Sequence, residues 1–470
     1  MGLLICCVIV ALAYRARGNL MDALIVALIA SMAFGSTAMM TLSALGGSTP
    51  LIFTAFSLLL IASVAARRNV LKEVGRLFAC VPSAAVLCML MVYAAVGALL
   101  LPRLFAGQTT AFTKPPGSLL IIETSLAPVS GNITQTGYLL LNGLTALALC
   151  ILLLGAPRWN EVKYGFVLLA VLTAGFGLLD LAGKLAGAGD ILALIRTANY
   201  ALLTESNEGS FHRIVGAFPE PSSFATTALA CLAFTYAYWR RTGDRLMLGL
   251  WLTLAVLLTL STSSTAYAGL TILALAAAAG LARSVAKNRV RRRELFVVAL
   301  FAVLLVLALA IALYREGFFD PFLNLLDTMV LDKSSSDSGR ERSYWNQKSL
   351  QAFRDTYGLG IGVGSSRASG WPVAVLSQLG VIGALLMAQL TLVMFGGLRD
   401  IRRVLDPEIE TIIASVQASA FGSLVAASLI MGTPDPGLLY FIALAVVVSA
   451  RTTAMRIPLP PGPQTRLLGH

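Results

Sequence analysis

Residues 77–101 read Leu77-FACVPSAAVLCMLMVYAAVGALL-Leu101, an unbroken run without Asp, Glu, Lys or Arg. Crossing the hydrocarbon core of a bilayer takes about 20 apolar residues in a helix, and this run meets that length. The pattern recurs outward in both directions. Further apolar runs fall at 2–14, 20–45, 51–66, 134–156, 164–181, 222–239, 246–261, 265–282, 295–314, 372–397, 411–431 and 438–450. Lipid offers the backbone no hydrogen-bond partner, so these runs are expected as helices. The short alternating segments of an outer-membrane barrel are absent from the sequence.

Composition agrees. Of 470 residues, 57% are hydrophobic and 12% charged, with a mean hydropathy of +0.81. A soluble domain of that make-up could not cover its own surface with polar groups. The expected fold is an all-α polytopic membrane protein with about 12–13 transmembrane helices, a single domain over 1–470. External loops are expected at 102–133, 182–221 and 315–371, the last two partly helical. Met1 to Tyr14 lacks a basic leader region and a small-residue cleavage site, so it reads as a short first span.

The formal charge of +12 raises the question of nucleic acid. The charges instead sit in short clusters between apolar runs, with no basic stripe interleaved with aromatics, so no nucleic-acid partner is expected. With the C-terminus inside and the runs alternating, 23 of the 35 basic residues fall on one side. The short connections of the other side, 46–50, 262–264 and 432–437, hold none. The positive-inside rule then places the three long loops outside the cytoplasm. All six cysteines lie in apolar runs or at their ends, which points to neither a disulfide framework nor a metal site.

The runs themselves are almost free of charge, with Asp22 and Asp180 near ends. A transporter concentrates its chemistry at mid-membrane, whereas here the polar chemistry lies in the external loops. The second loop ends His212-Arg-Ile-Val-Gly-Ala-Phe-Pro-Glu220-Pro-Ser-Ser223. The third contains Gly339-Arg-Glu-Arg342-Ser-Tyr344-Trp345 and then Tyr357-Gly-Leu-Gly-Ile-Gly362-Val-Gly364-Ser365-Ser366. Glu220 stands before a proline at a helix start, where an acid is ordinary. A carboxylate at a membrane boundary is also partly desolvated, a setting suited to a general base.

Arg213, Arg340 and Arg342 either solvate a loop, meet lipid headgroups, or bind phosphate bidentately through their guanidinium forks. The Gly360–Gly364 run has no preceding strand and no P-loop lysine; it reads as a tight external turn whose amides could face an anion. His212 is one of two histidines, and a metal site is not expected. The Ser261-Thr-Ser-Ser-Thr265 turn is expected to satisfy helix ends.

Taken in order, these motifs resemble the superfamily of O-antigen ligases and O-antigen or exopolysaccharide polymerases of bacterial inner membranes. The resemblance rests on Arg213 to Ser223, Leu260 to Thr265, Gly339 to Arg342 with Trp345, Gly358 to Ser365, and Leu379-Gly-Val-Ile-Gly383. Pro128 to Gln135 belongs to it too. It implies a GT-C-like, metal-independent glycosyltransferase that needs no cofactor. Such an enzyme moves a sugar chain from polyprenyl diphosphate to an acceptor hydroxyl on the periplasmic face.

The Glu-Pro-Ser element favours a polymerase of lipid-linked repeat units. Ligases typically carry a functional His in the large external loop, and 315–371 has none. Transfer of polymer to lipid A core and transport of lipid-linked sugar stand as alternatives. The implied partners are the lipid-linked oligosaccharide, membrane lipid and a chain-length regulator protein. The implied catalytic residues are Arg213, Glu220 and Arg342, with Arg340, His212, Tyr344, Trp345, Gly362, Gly364 and Ser365 binding substrate.

Overall fold

The computed structural model describes residues 2–41, 49–113, 121–188, 190–198, 207–208, 211–288, 290, 292–299, 303, 306, 337–396 and 405–456. It is all-α apart from two small hairpins. In chain order the helices are α1 (Gly2–Arg17), α2 (Leu20–Ala30), α3 (Ile52–Ala65), α4 (Val70–Cys80), α5 (Pro82–Leu104), α6 (Ser130–Gly155) and α7 (Trp159–Leu185). There follow α8 (Pro221–Thr242), α9 (Arg245–Leu260), α10 (Ser264–Ala286), α11 (Asp337–Asp355), α12 (Trp371–Phe395), α13 (Pro407–Ile430) and α14 (Leu438–Arg456). Strands β1 (Thr110–Thr113) and β2 (Ile122–Ser125) pair antiparallel, and β3 (Asn207–Glu208) meets β4 (Phe211–His212).

Among the described residues, seven helices are long and apolar enough to cross a membrane: α5, α6, α7, α10, α12, α13 and α14. The bent pair α3 and α4 makes eight if counted as one span. The polytopic all-α class therefore holds, while the count of 12–13 does not meet this test. Helix α9 is apolar but has 16 residues, about 24 Å at 1.5 Å per residue, short of a core about 30 Å thick. Helix α1 also has 16 residues. Helix α8 has 22 residues, but its Ser, Thr and Tyr residues leave it less apolar than the spanning helices. The run at 295–314 lies mostly outside the described residues.

Two span boundaries also move. The run 20–45 stops being α-helical at Ala30, and Ser31–Ala33 tightens into a 3₁₀ turn. The Thr37 hydroxyl then donates to Ile195 O at 2.6 Å, so this stretch belongs to the loops. The run 77–101 breaks at Val81, before Pro82, a residue that starts helices and cannot continue one. Residues 77–80 instead end α4, which is bent 104° from α3.

Helix α8 is the axis of the bundle. It is buried from Phe224 through Phe234 except for Thr226 and Thr227, and packs on α7, α9, α10 and α13. Phe166 of α7 stacks on its Phe234 at 4.9 Å. Gly422 of α13 lets the two backbones touch: a Cβ there would lie 2.7 Å from Leu229 O. Small residues at such crossings replace the hydrophobic drive that lipid cannot supply.

Polar contacts sort the connections into two faces. On one, Arg158 meets Asp22 at 2.6 Å, Lys163 meets Glu408 at 2.7 Å and Arg241 meets Glu410 at 3.2 Å. On the other, Asn132 donates to Ser365 Oγ at 2.7 Å and Trp371 Nε1 to Pro434 O at 2.9 Å. Each pair joins segments that the count of basic residues puts on the same side.

Candidate functional site

The long loops form a platform on the second face. Its base is the β1–β2 hairpin, in register Thr110↔Ser125. Phe112 N donates to Ser366 Oγ at 2.9 Å, and Arg367 N donates to Phe112 O at 3.1 Å, so the chain after the glycine run zips onto β1. Helix α11 lies over the hairpin. Tyr344 and Trp345 pack on the Phe112 ring at 5.8 and 5.9 Å.

Glu123 fastens α11 down. Its carboxylate accepts from Tyr344 OH at 2.7 Å and pairs with Lys348 at 3.0 Å. These bonds, led by Tyr344, pull the Glu123 carboxyl down to about 2. Residues Tyr344 and Lys348 share one face of α11. Arg342, Trp345, Asn346 and Ser349 share another, at the i, i+3, i+4, i+7 spacing. Asn346 on this second face exchanges hydrogen bonds with Ser369: its Oδ1 accepts at 2.8 Å and its Nδ2 donates at 3.4 Å.

Between that face and the start of α8 lies Arg367. Its guanidinium is within electrostatic reach of the Glu220 and Glu341 carboxylates and of the Arg342 guanidinium, and sits 5.6 Å from the Trp345 ring centre. Crowding by protein is the main cause that pulls Arg367 below its ordinary value. Arg342 adds to that pull, while Glu220 and Glu341 oppose it. Yet the residue remains open to solvent. The guanidinium keeps its charge in that setting.

Glu220 is the N-cap residue of α8, as its place before Pro221 leads one to expect, but its side chain makes no capping bond to the backbone. The carboxylate instead accepts from Ser222 Oγ at 2.5 Å and Ser223 Oγ at 3.3 Å. It is half-buried at the positive end of a helix dipole, which favours a negative charge.

A buried ionic strut holds the loop that carries Arg213 and Glu220. Asp180, near the end of α7, accepts from Val215 N at 2.7 Å, Gly216 N at 3.1 Å, Lys184 at 3.0 Å and Arg196 at 3.1 Å. Arg196 reaches on to Asp190 at 2.5 Å and donates to Gly216 O at 3.0 Å through Nε. Lys184 donates to Arg213 O at 2.5 Å. Two acids and two bases balance, so the strut carries no net charge into the protein.

The glycine run is no simple turn. Gly358, Gly360, Gly362 and Gly364 all have positive φ, from 77° to 85°. The segment threads between helices, and its amides are taken: Ile361 N bonds Ser377 O at 2.9 Å, Gly362 N bonds Gln378 O at 3.0 Å, and Gly364 N bonds Gln378 Oε1 at 2.8 Å. This occupies the amides that a phosphate cradle would need. A Cβ on Gly364 would fall 2.1 Å from Gly131 O, and one on Gly380, where α12 is kinked, 2.3 Å from Leu359 O. Ser365 is buried, accepting from Asn132 and donating to Ile361 O at 2.6 Å. These residues frame the site from behind.

The structure thus brings Glu220, Arg342 and Trp345 near Arg367. Arg213 is half-buried on the same loop as Glu220, with its carbonyl bound to the strut. Arg340 is exposed at the start of α11, and Tyr344 is engaged with Glu123. The backbone of His212 pairs with Asn207, and its side chain lies outside the described positions. Ser261 Oγ donates to Leu258 O at 2.7 Å and so closes the end of α9.

Arg367 is the residue that the motif reading passed over. It stands directly after Ser365-Ser366 as the only Lys or Arg between Asp355 and Trp371, and that placement was the available signal. Asp180 was visible near a span end, but its partners Arg196 and Asp190 carry no motif. Among the described residues no cluster of three His, Cys, Asp or Glu side chains is grouped to hold a metal ion. In comparisons with known proteins, no family model matches the chain and no curated protein matches it.

Proposed function

We propose that this protein polymerises lipid-linked oligosaccharide repeat units in a bacterial inner membrane, with its long loops in the periplasm. The reaction is transfer of a sugar chain from polyprenyl diphosphate to a hydroxyl of an acceptor repeat. One observation carries this reading: Glu220 at the start of α8 and Arg342 of α11 both lie within electrostatic reach of Arg367, from three separate segments. Such a cluster lets a diphosphate headgroup lie against guanidinium forks while its lipid stays in the bilayer.

In this scheme the acceptor oxygen attacks the anomeric carbon and the bond to the diphosphate oxygen breaks. Glu220 takes the acceptor proton, and the leaving diphosphate keeps the bonding electron pair. Arg342 and Arg367 stabilise the charge that develops on it, with Arg213 at the margin of the same loop. The two serine hydroxyls on Glu220 fix its carboxylate before substrate arrives, and Trp345 offers a ring face to a sugar. Gly362 and Gly364 shape the wall behind.

The test is polymer length in cells that carry single variants. Removing a general base costs about 10²–10⁴-fold in rate, so Glu220→Gln leaves single repeats on the carrier. Arg342→Lys keeps the charge, loses the fork and yields short chains. Polymer of normal length from Glu220→Gln removes that residue from the mechanism. Full-length polymer stranded on the carrier in the deletion strain identifies transfer to lipid A core instead.

A further inference from the structure

Helix α4 has no part in this cluster, and its surface is divided in an unusual way. It leaves α3 at an angle of 104° and so runs across that helix's direction, and it ends where α5 begins. At 100° per residue, Val70, Glu73, Val74, Leu77 and Cys80 fall on one side, and these are its less exposed residues. The remaining surface splits into two flanks. Leu71 and Phe78, 84% and 41% exposed, lie beside Val74 on the first. Lys72 and Arg76 lie on the second, with Arg68 in the turn just before the helix, all exposed and without an ion pair among the described residues. Nearby Arg67 is answered by Glu73 at 2.9 Å.

We propose that α4 is an interfacial helix that binds anionic phospholipid. Its Leu71–Phe78 flank enters the acyl boundary, and its Lys72–Arg76 flank, with Arg68 in the turn before it, lies along the headgroups. A helix in the plane of the interface needs an apolar flank beside a cationic one, and this surface has that division. Lysine and arginine stems reach from such a position to phosphate while their methylenes rest on lipid. Charge complementarity selects the occupant: three unanswered cations fit the negative surface of a phosphatidylglycerol-rich leaflet. The spanning helix α5 follows directly and ties this helix to the membrane, so no second protein is required to cover Leu71 and Phe78.

The test uses the full chain in vesicles of phosphatidylcholine with phosphatidylglycerol. Leu71→Cys and Lys72→Cys are labelled with a water-soluble maleimide and read by peptide mass spectrometry. Labelling of Leu71→Cys is expected to be slower by about tenfold or more, because its flank sits in the acyl boundary. Equal rates place α4 in water and overturn the proposal. Native mass spectrometry supplies the second reading. Lys72→Glu with Arg76→Glu is expected to lower retained phosphatidylglycerol about threefold, whereas Arg245→Glu on the same face leaves it unchanged. Unchanged retention in the double variant overturns the headgroup contact independently.

Discussion

Single residues show how the platform uses charge. Arg367 reads in the sequence as an isolated loop cation, yet its neighbours come from α8 and α11. Arg367→Lys keeps a charge at that point but cannot make two parallel bonds to phosphate. Transfer by this variant is expected to fall about 10–100-fold with thermal stability unchanged, and chain-length analysis with a melting curve separates the two effects.

Asp435, in the connection before α14, is a second case. It is buried, accepts from Asn142 Nδ2 and Gly437 N at 2.8 Å each, and burial pushes its carboxyl up to about 6. The unfolded chain titrates at about 3.9. The fold thus favours the protonated form. The stability this group contributes is complete below that lower value and is lost as pH rises through about 6. Asp435→Asn removes the loss, so its melting temperature relative to the native protein is expected to be higher at pH about 8 than at pH about 5. Equal offsets at both pH values contradict that assignment.

At the scale of elements, two devices place the site. The strut fixes the Arg213–Phe218 loop through Asp180, and Arg196→Ala leaves that acid with Lys184 as its remaining ion-pair partner. Loss of one partner from a buried pair costs roughly 3–5 kcal/mol, and denaturation is expected to show a drop of that order. The glycine segment is the other device. Gly364→Ala combines a left-handed backbone with a methyl 2.1 Å from Gly131 O, so we expect poor folding or loss of expression. Gly75→Ala, with open space around it, is expected to behave as the native chain.

Sequence pattern reached these elements unevenly. Apolar runs announced α5, α6, α12, α13 and α14 because lipid permits little else. The run at 77–101 hid the α4–α5 break, since Leu77 to Cys80 are as apolar as α5 itself, and only Pro82 marked the boundary. The alternating glycines were conspicuous. Their use in packing α12 against α5 and α6 was not, because the partners belong to other elements, Gln378 to α12 and Asn132 to α6.

For the whole molecule, the two-faced arrangement is the basis of the functional reading. Basic connections gather on one face, and on the other the hairpin, α11, the glycine segment and the start of α8 build the platform around Arg367. Charge distribution along the chain made the division legible, because short loops carry the orientation signal. The partners of each candidate were not legible, since Glu220, Arg342 and Arg367 lie more than a hundred residues apart or on different elements.

The central claim is that this cluster performs sugar transfer from a lipid diphosphate. The most direct measurement is release of polyprenyl diphosphate from purified lipid-linked repeat units by the reconstituted protein, with Glu220→Gln and Arg367→Lys alongside. The account predicts release coupled to chain growth by the native protein and a loss of about 100-fold or more in the Glu220→Gln variant, with both variants folded. No release by a folded native protein supplied with donor and acceptor, or equal release by Glu220→Gln, would contradict it.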